Sequence, residues 1–208
     1  MMGTGKLWKG LTAVVFAAAL AVSSGITGYG QTDAGSDKAP GPGVGLSADN
    51  LKSTNGVTIY VSKRTKTLLL KQNGALIGEY PVSMGASSAE GNKKVEGDMR
   101  TPSGEFYVCT RNDKSVAYLS LGLSYPAIKD AERGFADGII TQAQRDEIIK
   151  ANLAGEQPPW DTPLGGAIMI HGCRTPGEDT HGCVAVDNNV MDVLWSYCNL
   201  GVPVTIGP

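Results

Sequence analysis

Short apolar and β-branched runs alternate with turn residues over most of the chain, a spacing typical of antiparallel β-structure. The first two runs occupy 57–62 and 67–71. Asn73 and Gly74 then form a tight-turn pair, and a third run follows at 75–84. Three consecutive strands joined by short turns predict an antiparallel meander.

Further strand-like runs extend this pattern, and they lie at 104–110, 117–123, 167–171 and 202–206. Two stretches have helical composition and periodicity instead. In the first, 130–153, the pair Asp137-Gly138 divides the segment into two short helices. The second, 188–197, follows Asp187, a plausible N-cap. The pattern therefore predicts a mainly β fold with a helical insertion and a C-terminal helix before the last strand. The insertion is expected to act as a lid over the substrate cleft.

Residues 1–30 have the pattern of an export signal. Two lysines precede an apolar run at 11–22, and small residues follow it. This order predicts a secretory signal peptide, with an uncleaved N-terminal membrane anchor as the alternative. Residues 31–49 are rich in Gly, Pro, Ala, Ser and Asp, which predicts a flexible linker. We therefore expect a single folded domain at 50–208, exported to the cell envelope.

The charge balance narrows the choice of partners. The chain has 18 Lys and Arg against 20 Asp and Glu, for a net charge of −2. This balance gives no electrostatic reason to expect nucleic acid as a partner.

Candidate chemistry is concentrated in two short stretches near the C-terminus. The chain contains 2 histidines, and each lies two residues before a cysteine, in His171-Gly172-Cys173 and His181-Gly182-Cys183. Imidazole next to a thiol is the arrangement that activates a cysteine nucleophile. The glycines allow a substrate carbonyl to approach the backbone closely. The amides of Gly182, Cys183 and Val184 are candidate oxyanion-hole donors.

Zinc binding is the competing interpretation, because these two histidines and two cysteines are zinc ligands by type. One intervening residue is a tight spacing for two ligands on one ion, since structural zinc pairs usually have two to four. The cysteines also allow disulfides in an exported protein. If Cys183 remains a free nucleophile, at most one bridge forms among Cys109, Cys173 and Cys198, and the spacing does not select the pair.

A set of motifs in a fixed order identifies the family that the chain resembles. The set comprises Lys94, Glu96-Gly97-Asp98, Thr101-Pro102-Ser103-Gly104, Ile170-His171-Gly172 and Thr180-His181-Gly182-Cys183-Val184-Ala185-Val186. It resembles the L,D-transpeptidase catalytic domain (YkuD type), and the ErfK/YafK-like branch in particular, over about 56–206. The resemblance implies a β-sandwich-like fold, peptidoglycan stem peptides as substrate and no metal or organic cofactor. It also implies that β-lactams of the carbapenem type act as inhibitors.

The resemblance also assigns roles to residues. Cys183 would be the nucleophile, His171 would accept and return the proton, and the Gly172 carbonyl would orient the imidazole. His181 would have a supporting role. Tyr125 and Arg174 are candidates for contact with the acidic peptide substrate.

Two outcomes of the implied chemistry stay open. An amine would release the Cys183 thioester in a transpeptidase, which forms cross-links or attaches acceptors, whereas water would release it in an L,D-carboxypeptidase. The alternatives of a different class are a zinc-binding domain and a non-catalytic domain that binds the cell wall.

Overall fold

The computed structural model describes residues 54–208, which are mainly β. The strands are β1 (Val57–Ser62), β2 (Thr67–Gln72), β3 (Ala75–Pro81), β4 (Gly104–Ser115), β5 (Tyr118–Leu123), β6 (Met169–His171), β7 (Val184–Ala185) and β8 (Pro203–Gly207). The helices are α1 (Ile128–Ala136), α2 (Gln142–Ala154) and α3 (Asn188–Tyr197). None of the helices within 54–208 is long and apolar enough to cross a membrane. The predicted signal or anchor at 1–30 and the linker at 31–49 lie outside the described residues.

The first three strands form the predicted antiparallel meander, with β2 between β1 and β3. Alternate residues of β1 are buried, because successive side chains of a strand point to opposite faces. The third strand ends at Pro81 and not at residue 84. The chain leaves β2 there, and Ser83 forms an antiparallel β-bridge with Ala185 of β7. This crossing brings the end of the meander to the two motifs.

The eight strands form one sheet in the order β3-β2-β1-β8-β4-β5-β6-β7. Strand β4 joins its two halves, because Gly104–Tyr107 pair with β8 and the residues from Val108 onward pair with β5. The sheet curls around one hydrophobic core that contains residues of both halves and of α3, among them Ile59, Leu68, Leu121, Ile170 and Met191. The predicted fold class is thus confirmed: a mainly β, sandwich-like domain with a helical insertion and a helix before the last strand.

The insertion consists of two helices, as predicted, and Gly138 (φ +69°) lies between them. They share a small core of their own, formed by Ala131, Ile140, Ile148 and Leu164. Arg133 of α1 lies against the carbonyls of Lys93 and Lys94. The insertion therefore packs on the loop before the Gly97-Asp98 motif, and its action as a lid stays a prediction.

The structure also determines two local features that the sequence raised, the N-cap of α3 and the pairing of the cysteines. Asp187 occupies the N-cap position of α3 with extended backbone, but its carboxylate makes no capping bond and lies 3.2 Å from Arg174 Nη1. All four cysteines are free thiols, so none of the bridges that the sequence left open among Cys109, Cys173 and Cys198 is formed in this structure.

Candidate active site

The two predicted motifs lie on neighbouring strands. Strands β6 and β7 are parallel, with His171 opposite Ala185. Extending this register back by two residues places Cys183 opposite Met169. Residues two apart on a strand share a face, as do directly opposite residues of paired strands. Cys183 directly precedes β7, so continuation of the same register would place its side chain on the side of the sheet that carries His171.

The His171 ring is held by its own neighbour. Nδ1 lies 2.7 Å from the carbonyl oxygen of Gly172. A carbonyl only accepts hydrogen bonds, so Nδ1 carries the proton in the neutral ring and Nε2 is left with its lone pair. Gly172 is itself fixed, because a Cβ there would lie 2.6 Å from Asn188 Oδ1 and 3.0 Å from the carbonyl oxygen of Ala117. The arrangement presents Nε2 as a base, as the resemblance implies for His171.

The Cys183 thiol is half-buried and lies against a backbone carbonyl. Its Sγ donates a weak hydrogen bond to the Ala167 carbonyl, at 3.7 Å. Burial raises the pKa of the Cys183 thiol, and this effect outweighs the opposing Met169 amide bond and Lys93 charge. A thiol with this environment needs a base at the moment of attack and is not a resting thiolate.

A compact turn precedes the nucleophile. The Thr180 hydroxyl accepts from the Gly182 amide at 3.1 Å and donates to the Cys183 carbonyl at 2.7 Å. Gly182 has a φ of +135°, and a Cβ there would lie 2.9 Å from the Arg100 carbonyl oxygen. Only glycine fits both this backbone conformation and this close approach. The turn thus fixes the direction of the cysteine.

The predicted oxyanion hole needs correction. The Gly182 amide is already bound to the Thr180 hydroxyl. The Val186 amide donates to the His171 carbonyl at 2.8 Å and the Ala185 amide donates to Ser83 on the other side. Successive amides of a strand point in opposite directions, so Val184 directs its amide to β6 like Val186. Of the three predicted donors, only the Cys183 amide lacks an acceptor within residues 54–208.

A loop between β3 and β4 supports this turn from behind. The Asp98 carboxylate accepts from the Lys93 ammonium at 2.9 Å and from the amides of Lys94, Val95 and Arg100. These bonds outweigh burial and lower the pKa of Asp98. The loop so fixed presents the Arg100 carbonyl to Gly182. The loop that contains the Gly97-Asp98 motif therefore supports the turn before Cys183.

Lys93 is the residue of this loop that the motifs did not single out. It is only 3% exposed, whereas its neighbour Lys94 is exposed. A pair of adjacent lysines gives no sequence signal of which one is buried. The Thr180 hydroxyl was missed in the same way, because its two bonds depend on the geometry of the turn.

The remaining His and Cys of the motifs lie at the surface. Cys173 and His181 are exposed and line a cavity of about 280 Å³ together with His171. The Cys173 amide donates to Asn188 Oδ1 at 2.7 Å, which anchors the loop and leaves the thiol free. No three His, Cys, Asp or Glu side chains within 54–208 are grouped so as to hold a metal ion. This part of the chain therefore contains no set of side chains that could form the alternative zinc site.

The two predicted substrate contacts differ in outcome. Tyr125 is fully buried and its hydroxyl donates to the Leu164 carbonyl at 3.1 Å, so the prediction that it contacts substrate is wrong. An apolar run precedes Tyr125 in the sequence, but this run alone does not predict that the tyrosine itself is buried. The Arg174 side chain is 14% exposed and paired with Asp187. Its contact with substrate stays a prediction.

The chain is similar to one protein-family model and to several solved structures. The family model YkuD, the L,D-transpeptidase catalytic domain, matches residues 56–206. Similar solved structures include Bd1075 of Bdellovibrio bacteriovorus, with 20% identity, TM-score 0.49 and coverage of 77% of this chain and 50% of that one. The helical cell shape determining protein Pgp2 of Campylobacter jejuni (K307A mutant) has 20% identity and TM-score 0.48, over 73% and 47% of the two chains.

An L,D-transpeptidase of Xylanimonas cellulosilytica has 19% identity and TM-score 0.43, over 74% and 62% of the two chains. The match thus spans about half the length of the first two of these solved chains. A comparison with curated proteins finds no match.

Proposed function

The chain belongs to the YkuD family of L,D-transpeptidase catalytic domains, and from this premise we propose that it is an exported cysteine L,D-transpeptidase. Its substrate would be the stem peptide of peptidoglycan, and Cys183 would form the thioester acyl-enzyme. One observation supports the proposal: His171, oriented through Nδ1 by the Gly172 carbonyl, ends β6, and Cys183 directly precedes β7, the strand that pairs with β6. A base with a free Nε2 and a protonated thiol are the pair that acyl transfer requires.

The first half-reaction uses groups already in place. Nε2 of His171 takes the Cys183 proton while Sγ attacks the carbonyl carbon of a stem-peptide residue with an L centre. The tetrahedral oxyanion accepts a hydrogen bond from the Cys183 amide. The imidazolium then returns the proton to the departing nitrogen, the C–N bond breaks, and D-alanine leaves the thioester behind.

The second half-reaction decides between transfer and hydrolysis. An amine of an acceptor, deprotonated by His171, attacks the thioester and forms a new amide, and the thiol recovers its proton. If water attacks instead, the product is a trimmed peptide and the enzyme acts as an L,D-carboxypeptidase. Both routes pass through the same acyl-enzyme, so the nature of the acceptor separates them.

The proposed location follows from the chemistry and from the N-terminal pattern. Peptidoglycan lies outside the cytoplasmic membrane, and residues 1–30 have the composition of an export signal or anchor. We place the domain in the cell envelope on this basis. Protease added to intact cells or spheroplasts should degrade it, and protection equal to that of a cytoplasmic marker would reject this location.

Product analysis tests the proposed activity. The full chain is incubated with a disaccharide-tetrapeptide and an amine acceptor, and the products are separated and weighed by mass spectrometry. We expect loss of one D-alanine with joining to the acceptor, in the wild type and in Cys173→Ala. Cys183→Ala should give neither product. Release of D-alanine without joining would assign the hydrolytic activity, and turnover by Cys183→Ala would reject the proposal.

A further inference from the structure

A second, larger cavity of about 540 Å³ adjoins the active site. The turn between β1 and β2 forms one wall, and residues 84–92 form another. Its volume is within the range of small-molecule and peptide sites, about 300–1,000 Å³. We call it the basic cleft, after the Lys63, Arg64 and Lys66 side chains that line it.

Cationic side chains outnumber acidic side chains in the lining of the basic cleft. Three cationic residues line it, and Asp179 is its one acidic lining residue within 54–208. Lys66 lies 3.5 Å from Asp179, but the two side chains are 60% and 46% exposed, so this pair is weak. Arg64 has no hydrogen-bond or ionic partner among residues 54–208. A planar guanidinium without a partner in a concave site is suited to a carboxylate.

Lys63 has a different role within the same wall. Its ammonium donates to the carbonyls of Gly91 and Thr101 and to the Ser103 hydroxyl, so its hydrogen bonds are used inside the protein. Burial and then the charge of Arg100 lower the pKa of Lys63, and Asp98 offsets only part of this. The Lys63 ammonium is thus held by the protein, which leaves the exposed Arg64 and Lys66 side chains as the cations of the cleft that can meet an anion.

Backbone hydrogen bonds connect the basic cleft to the nucleophile turn. The Thr180 amide donates to the Met84 carbonyl at 2.8 Å, and the Ala86 amide donates to the Thr180 carbonyl at 3.0 Å. Asp179 lines both the basic cleft and the cavity that contains His171. Thr180, whose hydroxyl bonds to the Cys183 carbonyl, is therefore a direct neighbour of the segment that lines the cleft.

We propose that the basic cleft binds a free carboxylate of the stem peptide, with Arg64 as the principal contact and Lys66 as the second. The inference rests on the proposed function for the identity of the peptide. The D-glutamyl residue of a stem peptide has a free α-carboxylate one residue before the attacked carbonyl. Arg64 and Lys66 would then determine specificity for substrates in which this group is not amidated.

Binding to an inactive variant tests the site without turnover. Two tetrapeptides are used, L-Ala-γ-D-Glu-L-Lys-D-Ala and its analogue with a carboxamide in place of the D-glutamyl α-carboxylate. Their affinities are measured by calorimetry for Cys183→Ala alone and combined with Arg64→Gln, Lys66→Gln or Lys114→Gln. Lys114 is the control, because it is exposed and does not line the cleft.

Arg64→Gln should weaken binding of the carboxylate peptide about tenfold, the size expected for one charge-assisted hydrogen bond. Lys66→Gln should weaken it less, about threefold, and neither variant should change carboxamide binding by more than about twofold. Lys114→Gln should affect neither peptide. Equal losses for both peptides, or no loss for either, would overturn the proposal. Poly(glycerol phosphate) tests for a phosphate site instead. If Arg64→Gln abolishes binding of this polymer and leaves binding of the carboxylate peptide unchanged, the proposal is overturned in favour of a phosphate site.

Kinetics separate this proposal from the proposed function. In the active protein, Arg64→Gln should raise KM for the carboxylate peptide and leave kcat and Cys183 alkylation unchanged. If the protein turns over both peptides with the same KM, the carboxylate site is rejected and the proposed function is retained. A tenfold difference in binding without turnover supports the site and rejects the catalytic assignment.

Discussion

The imidazole Nδ1 of His171 lies 2.7 Å from the carbonyl oxygen of Gly172, the next residue in the chain. This contact fixes both the tautomer and the direction of the ring without help from a carboxylate. Because the carbonyl is uncharged, it stabilises the imidazolium less than a carboxylate would. In the proposed mechanism, this base would take the proton of a thiol whose pKa is raised by burial.

The first prediction concerns the pH dependence of Cys183 alkylation. Burial raises the pKa of this thiol, so its thiolate fraction at pH 8 is smaller than that of glutathione, whose thiol titrates in the ordinary range. Iodoacetamide should modify Cys183 more slowly than glutathione at pH 8, and the rate should still rise above pH 9. Intact mass spectrometry of Cys173→Ala follows Cys183 without the exposed thiol. A rate that reaches its plateau below pH 7 would instead indicate a resting thiolate–imidazolium pair.

The second prediction concerns the contact of Gly182 with Arg100. A Cβ at Gly182 would lie 2.9 Å from the Arg100 carbonyl oxygen, at a φ of +135°. Gly182→Ala must therefore shift the turn that holds Cys183, and we expect kcat/KM to fall about 100-fold. Gly177→Ala is the control, because Gly177 also has positive φ (+86°) but open space around it. Equal losses in the two variants would show that backbone strain alone is responsible.

The third prediction concerns the ion pair of Lys93 and Asp98, whose side chains are 4% and 12% exposed. Asp98→Asn leaves a buried ammonium without its counter-ion, so the free energy of unfolding at pH 7 should fall by about 3 kcal/mol. Urea denaturation measures this loss. Glu90→Gln, at the exposed pair with Arg100, should cost less than about 1 kcal/mol.

The same ion pair predicts a pH dependence of stability. The pKa of Asp98 in the folded state is below its value in the unfolded chain. Its ionised form therefore contributes stability above about pH 4, and this contribution is lost as the pH falls through the lower, folded-state pKa. The stability difference between wild type and Asp98→Asn should shrink below pH 4. A difference that grows on acidification would contradict the role of the carboxylate.

The fourth prediction concerns Tyr125, which the structure removes from the set of substrate contacts. Tyr125→Phe deletes the hydrogen bond to the Leu164 carbonyl and leaves the ring in place. We expect the free energy of unfolding to fall by about 1 kcal/mol, with KM for the tetrapeptide unchanged. A several-fold rise in KM without loss of stability would restore Tyr125 as a substrate contact.

Much of the fold follows from local sequence. The alternation of β-branched residues predicted the meander of β1, β2 and β3, and Asp137-Gly138 marked the break between α1 and α2. The meander and the break between the helices depend on periodicity and turn chemistry, which a single sequence contains. The joint action of His171 and Cys183 was implied by the family resemblance, and the parallel pairing of β6 and β7 brings their two motifs onto neighbouring segments.

The parts that were not predicted depend on contacts distant in sequence. Tyr125 is buried in the main core, and the segment between α2 and β6 supplies the Leu164 carbonyl for its hydroxyl. The Gly182 amide is unavailable because the turn folds the Thr180 hydroxyl back onto it. Lys93 is buried and Lys94 exposed because of the direction in which the Asp98 loop turns. Residue type and spacing do not determine any of these three contacts.

The most direct test of Cys183 as the nucleophile is the intact mass of the protein after incubation with a carbapenem, whose strained β-lactam carbonyl acylates a reactive thiol. The wild type and Cys173→Ala should each gain the mass of one carbapenem, and His171→Gln should react much more slowly. Cys183→Ala should gain no mass. An adduct that persists on Cys183→Ala, or that disappears with Cys173→Ala, would contradict the assignment of Cys183.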